Sequence, residues 1–220
     1  MPFIAGYGRE KYMGVLIKEN VQESEVRKRL LTAALELFTK KGYAATSVRE
    51  IVAVAGVTKP VLYYYFGNKE GIYLELMREP FKQFEELLDA YPGDGRSVAE
   101  LITRLCESVF DLFVEHLDTA RLMYSIYYGP PQGAPFFDFD EYHAKLQDKI
   151  RMLVDDGVGS GEFGGIDAVD VMWIIIGALN VAMEEQLCRE KPGIDRPGLK
   201  RILSLILGRI SRAGETTIDQ

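Results

Sequence analysis

Lys59, Pro60, Val61, Tyr63, Tyr64 and Tyr65 fall within one short stretch of the chain. A cation and three phenols on so few turns carry more aromatic surface than a short helix can bury, so part of it is expected to face a partner. Phenol rings pack on sugars and thymine methyl groups while their hydroxyls and an ammonium reach phosphate oxygens, which is the chemistry of nucleic-acid recognition. The competing reading is a helical hairpin whose tyrosines merely complete a core; the basic neighbourhood weighs against it. The formal net charge of −7 would repel a polyanion if it were evenly spread. Between Ser24 and Glu70, however, eight cations face four carboxylates, a balance of +4 that leaves −11 on the remainder. A basic head on an acidic body is expected to present only the head to phosphate.

Local signals organise that head into three helices. Val26, Leu30, Ala34, Leu37 and Phe38 recur at helical spacing over residues 25–41, and Gly42 follows Lys40 and Lys41 as a stop. Ser47 with Glu50 fits the capping box that opens a second helix, ending near Ala55. Gly56 supplies the turn, and Thr58 with Pro60 opens a third helix over 58–65. Two short helices flanking a tight turn are a helix-turn-helix.

The run KKGYAATSVREIVAVAGVTKPVLYYYFGNKEGIY resembles the DNA-binding domain of TetR-family transcriptional regulators. In that family a KGY-like turn precedes T-S-x-R-x-I, an A-G-V turn, L-Y-x-x-F and N/S-K-E. Position by position, the resemblance implies that Lys59, Pro60, Val61, Tyr63 and Tyr64 form the major-groove face of a recognition helix. It implies that Thr46, Ser47 and Arg49 hold phosphates, and that Lys69 does so through its ammonium and the backbone N–H groups beside it. Leu62 and Phe66 match buried positions. About 20 residues precede the expected first helix; Met13 as the true start, or an arm using Arg9, Lys11 and Lys18, are both open readings.

The expected organisation is an extension over 1–23, a DNA-binding domain over 24–70 and a helical effector-binding and dimerisation domain over 71–220. The architecture is all-α with about nine helices, because apolar residues recur at helical spacing and nothing alternates as a strand would. Pro80 predicts a kink or break in the helix that begins near Asn68. Further helices are expected over 97–116, around 122–128, and over 140–156, 166–189 and 197–212. The last two are apolar on nearly all sides, so one face serves the core and the other needs a second partner. The resemblance implies that they pair across a two-fold axis, giving a homodimer. Such a dimer reads palindromic double-stranded DNA with two recognition helices spaced by roughly 34 to 36 Å or a multiple of it.

Phe110, Phe113, Met123, Tyr124, Tyr127, Met152 and Trp173 bring aromatic and thioether groups that suit an adaptable apolar pocket. The resemblance assigns such a pocket a small-molecule effector that releases DNA, making the protein most readily a repressor. A body that serves as a protein-interaction module without an effector is the alternative.

Other chemistry is thin. Cys106 and Cys188 lack metal or redox spacing, and the acids Asp138, Asp140 and Glu141 near His143 read as a solvated helix start, so neither a metal nor a cofactor is expected. No GxSxG, P-loop or HExxH motif occurs, so an enzyme is not expected. The longest apolar run, Val171 to Met183, is short of the roughly 18 residues a membrane span needs, and no secretion signal is evident; a cytoplasmic location is expected.

Overall fold

In the computed structural model, the backbone is described for residues 7–90, 96–129 and 133–215, and side chains within these from 23 to 211. Nine helices and no strand occur among the described residues. They are α1 (Tyr7–Lys41), α2 (Val48–Ala55), α3 (Lys59–Phe66), α4 (Lys69–Asp89), α5 (Val98–Glu115), α6 (Leu117–Tyr127), α7 (Phe139–Gly159), α8 (Ala168–Cys188) and α9 (Arg196–Glu215). The chain divides into two compact units. One takes in α1 to α3, α4 as far as Leu76, and α6 from Leu122; the other takes in α4 from Met77, α5, α6 as far as Arg121, and α7 to α9.

In the first unit, Leu30, Ala34 and Phe38 of α1 are buried together with Ile51, Val52 and Ala55 of α2, Leu62 of α3, and Ile72 and Tyr73 of α4. This is the core foreseen from the helical spacing, with one change. α1 continues back to Tyr7 rather than starting near residue 25. The apolar period that marks it in the sequence stops near Val26, but the residues before it, rich in Glu and Lys, have their own preference for helix.

The turn chemistry holds at the start and the end of α2. Ser47 caps α2 and exchanges bonds with Glu50 in a complete capping box. Gly56 lies in the left-handed region at φ 64°, and its N–H returns to the carbonyls of Val52 and Ala53. Thr58 takes the N-cap position of α3 without a side-chain capping bond, so Pro60 in the first turn does more to set that start.

The second unit is built round a continuous apolar core of α5, α7, α8 and α9, including Ile102, Leu105, Phe110, Ile150, Val154, Ile175, Leu179, Leu199 and Leu203. Its helix starts are capped by acids and a serine: Ser97 for α5, Asp138 for α7 and Asp167 for α8. Asp138 thus spends its carboxylate on the Glu141 N–H. The carboxylate of Glu162 also reaches α5, accepting from the N–H groups of Val98 at 2.7 Å and Ala99 at 2.9 Å. Gly157 of α7 packs so tightly that an added Cβ would lie 2.3 Å from the Phe163 ring.

No break occurs at Pro80: α4 is continuous from Lys69 to Asp89. Proline still deprives the Leu76 carbonyl of its helical donor, and the division between the two units falls at Leu76–Met77. α6 begins at Leu117, directly after His116 closes α5, earlier than the sequence suggested. By length and apolarity α8 could cross a membrane, with a mean hydropathy of 1.3 over its best window, yet Val171, Met172, Ile175, Ile176, Leu179, Ala182 and Met183 bury one side of it in the core.

Candidate nucleic-acid interface

α3 stands on Leu62, which is fully buried, and turns Lys59, Pro60, Tyr63 and Tyr64 outward. Tyr63 is 48% exposed and Tyr64 74%, large values for phenols and the outcome expected of surplus aromatic surface. Val61 is half-buried on the flank. Tyr64 meets Tyr65 edge to face at 5.0 Å, and Tyr65 leans on Phe66 at 6.2 Å. The guanidinium of Arg27 lies 5.7 Å from the Phe66 ring centroid and is ion-paired with Glu75, tying α1 to α3 and α4.

At the start of α2 the three expected phosphate ligands separate. Arg49 is exposed. Ser47 is exposed too, its hydroxyl donating to Glu50 at 2.7 Å while accepting from the Glu50 N–H. Lys41 is ion-paired with the same Glu50. These contacts, the Lys41 ammonium foremost and then the Ser47 hydroxyl and N–H, hold the Glu50 carboxyl down at about 2.

Thr46 is the correction. It is only 2% exposed, and its hydroxyl donates to the Gly42 carbonyl at 2.9 Å. Its side chain shapes the α1–α2 turn from inside, because the short polar residue satisfies a carbonyl left open at the end of α1.

Lys69 is half-buried and donates to the carbonyls of Tyr43 and Thr46, both at 2.9 Å. Its ammonium also lies 4.1 Å from the Tyr43 ring centroid. Burial lowers its pKa. An ammonium has three N–H donors, so one remains for an outside anion. Beneath it, Phe38, Tyr43 and Tyr73 make an aromatic trio with centroids 5.2 to 6.3 Å apart. Burial pushes the Tyr73 phenol up to about 12, with Tyr43 adding to the effect.

The comparisons with known proteins meet this surface directly. Residues 30–76 match the family model described as bacterial regulatory proteins, tetR family. Over 155 residues the chain is 37% identical to the HTH-type transcriptional regulator RutR of Escherichia coli, covering 69% of this chain and 71% of that one. The chain belongs to the TetR family. The HTH-type transcriptional repressor KstR2 of Mycolicibacterium smegmatis is 29% identical over 160 residues, 70% of this chain and 76% of that protein. Among solved structures, the TetR family regulator PfmR from Thermus thermophilus superposes with a TM-score of 0.62 at 25% identity, over 82% of this chain and 97% of that one. This TetR-family protein is therefore a DNA-binding transcriptional regulator with the helical fold of its relatives.

Of the residues expected to line an effector pocket, four lie in the second unit and three in the first. Phe110 is buried in the core of the second unit and Phe113 packs against that core. Met152 is 46% exposed on α7 and Trp173 55% exposed on α8, so both stand on outer faces rather than in an enclosed lining. A helix apolar on all sides gives no sign in sequence of which aromatic turns inward, and here α8 turns Trp173 out. Met123, Tyr124 and Tyr127 belong to the other unit, where Tyr124 and Tyr127 both pack on Tyr128.

Sequence reasoning also passed over an aromatic cluster in the second unit. Phe81 of α4 lies 3.9 Å from Tyr142 and 5.0 Å from Phe137, and Lys145 stands 5.2 Å from the Tyr142 ring. The density of Phe136, Phe137, Phe139 and Tyr142 in the sequence was its available signal.

Proposed function

We propose that the chain is a repressor that grips palindromic operator DNA as a homodimer and is released by a small apolar or aromatic effector. The observation that carries the DNA-reading part is the outward pair Tyr63 and Tyr64, presented with Lys59 and Pro60 on a helix whose buried side is fixed by Leu62. In this reading α3 enters the major groove and its phenols meet sugars, methyl groups and phosphates. Ser47, Arg49 and the remaining N–H of Lys69 hold the flanking phosphates, while Thr46 supports them from behind.

The outer stripe of α8 supports dimerisation: Trp173, Ile174 and Val181 are about half exposed and flank Gly177, and Leu205 of α9 is 76% exposed. Apolar side chains at that spacing on adjacent helices suit a four-helix contact between two copies. An effector that prefers the DNA-incompetent arrangement of the dimer weakens operator affinity by its differential binding, about 1 to 3 kcal/mol for a useful switch. Working on DNA, such a protein acts in the bacterial cytoplasm.

The test is selection of duplexes from a random-sequence pool by the purified protein, followed by fluorescence anisotropy. The reading expects a palindromic consensus and loss of its recognition in Lys59→Ala and Tyr63→Ala. Recovery of no consensus, or variants that bind as the parent does, would overturn it.

A further inference from the structure

The most exposed aromatic of α3 is held by a residue of the opposite charge to its neighbourhood. The Tyr64 hydroxyl donates to Oε1 of Glu23 at 3.2 Å, joining α3 to α1 across 41 residues of sequence. Glu23 is exposed and lies on the same basic head, where a carboxylate facing DNA is a liability. The cation one helical turn further on, Arg27, is committed to Glu75 and Phe66. The Tyr64 ring also meets Tyr65 edge to face at 5.0 Å. Glu23 also acts on Tyr65, whose phenol is pushed up by burial first and by the Glu23 carboxylate second.

A tyrosine hydroxyl has one proton, and phosphate oxygens, like carboxylate oxygens, only accept. Glu23 and a DNA phosphate therefore compete for a single donor. While Tyr64 is bonded to Glu23, the negative carboxylate is pinned beside the recognition helix. A duplex held loosely by surface lysines and arginines meets that charge and is repelled. Once α3 is seated, a phosphate in register takes the hydroxyl and the carboxylate swings into solvent.

We propose that Glu23 is a specificity-determining residue, pinned by the Tyr64 hydroxyl to disfavour non-specific DNA and released only when α3 is seated; this rests on the reading of α3 as the recognition helix. Glu23 makes no base contact in this scheme. It widens the gap between matched and unmatched duplexes by penalising the unmatched complex more.

The experiment measures binding of the full-length protein to a duplex it has selected and to a scrambled duplex of equal length. Four proteins are compared: the parent, Glu23→Gln, Tyr64→Phe and the double variant. Glu23→Gln is expected to tighten binding to the scrambled duplex by about 3- to 10-fold and to the selected duplex by less than about 2-fold, as removal of one like charge at a DNA surface allows. In the Tyr64→Phe background, where the carboxylate is no longer pinned, the same substitution should gain less than about 2-fold on either duplex. Equal gains on both duplexes, or the same gain with and without the hydroxyl, would overturn the proposal. Lys59→Ala separates the two levels: if it leaves binding of the selected duplex intact, the assignment of α3 is at fault, and if it weakens that binding while Glu23→Gln has no selective effect, only the role of Glu23 is.

Discussion

Lys69 is clamped to Tyr43: its ammonium donates to the Tyr43 carbonyl at 2.9 Å and lies 4.1 Å from the centre of the same residue's ring. The family resemblance made Lys69 a phosphate ligand, and the geometry adds a second duty, holding the turn between α1 and α2 against the start of α4. Lys69→Met keeps the stem and removes the donors. It should cost about 1 to 3 kcal/mol of stability in urea unfolding, as loss of charge-assisted bonds to two buried carbonyls does. It should also lower the salt slope of DNA binding by roughly one unit if the third N–H holds a phosphate. A stability loss with an unchanged slope would leave Lys69 purely structural.

Ser47 and Glu50 give an acid-side signature. The Glu50 carboxyl is held down at about 2 in the folded chain, below its ordinary unfolded value. Its contribution to stability is therefore complete above the unfolded value and is lost as pH falls toward the folded one. Thermal melts between pH 6 and pH 3 should show a shallower acid loss for Glu50→Gln than for the parent. Ser47→Ala should cost about 1 kcal/mol at neutral pH through loss of the cap.

Gly157 is set by packing rather than by backbone conformation. An added Cβ would meet ring carbons of Phe163 at 2.3 and 2.5 Å. Gly157→Ala should destabilise the second unit by about 1 to 3 kcal/mol, as overpacking does, despite the helix preference of alanine. The double variant Gly157→Ala, Phe163→Leu should recover part of the loss in chemical denaturation. No recovery would place the strain elsewhere.

Leu205 and Ile174 test the dimer. Replacing either with Glu should convert the protein to a monomer by light scattering while leaving its helical circular dichroism intact. DNA affinity should then fall by about 100-fold or more, the scale on which two linked half-site contacts exceed one. A dimer that survives both substitutions would move the interface away from α8 and α9.

The parts of the head that could be read from sequence are those set by neighbours along the chain. The Ser47–Glu50 box and the Gly56 turn are i to i+3 chemistry, complete within a few residues, and both stand as read. Thr46 could not be placed this way, because beside the local Gly42 carbonyl its hydroxyl also reaches the Leu37 carbonyl, nine residues back in α1. Glu23 and Tyr64 meet across 41 residues, which no local pattern encodes. In α8 the difficulty was direction: with apolar residues on every side, periodicity does not say that Trp173 faces out and Ile175 faces in. α4 runs through Pro80 without a break, because one missing donor in a 21-residue helix is tolerated when the other bonds remain.

The carboxylate of Glu162 closes the first turn of α5 from 64 residues downstream. During synthesis, α5 therefore emerges from the ribosome with its start held locally by the Ser97 cap, while those two N–H groups stay bonded to water until α7 and the turn after it have followed. By contrast, the bonds linking Arg27, Thr46, Lys69 and Glu75 need nothing beyond residue 75. Much of the head's internal bonding can thus form on a nascent chain before the body closes, in the N-terminal-first order expected of multidomain chains.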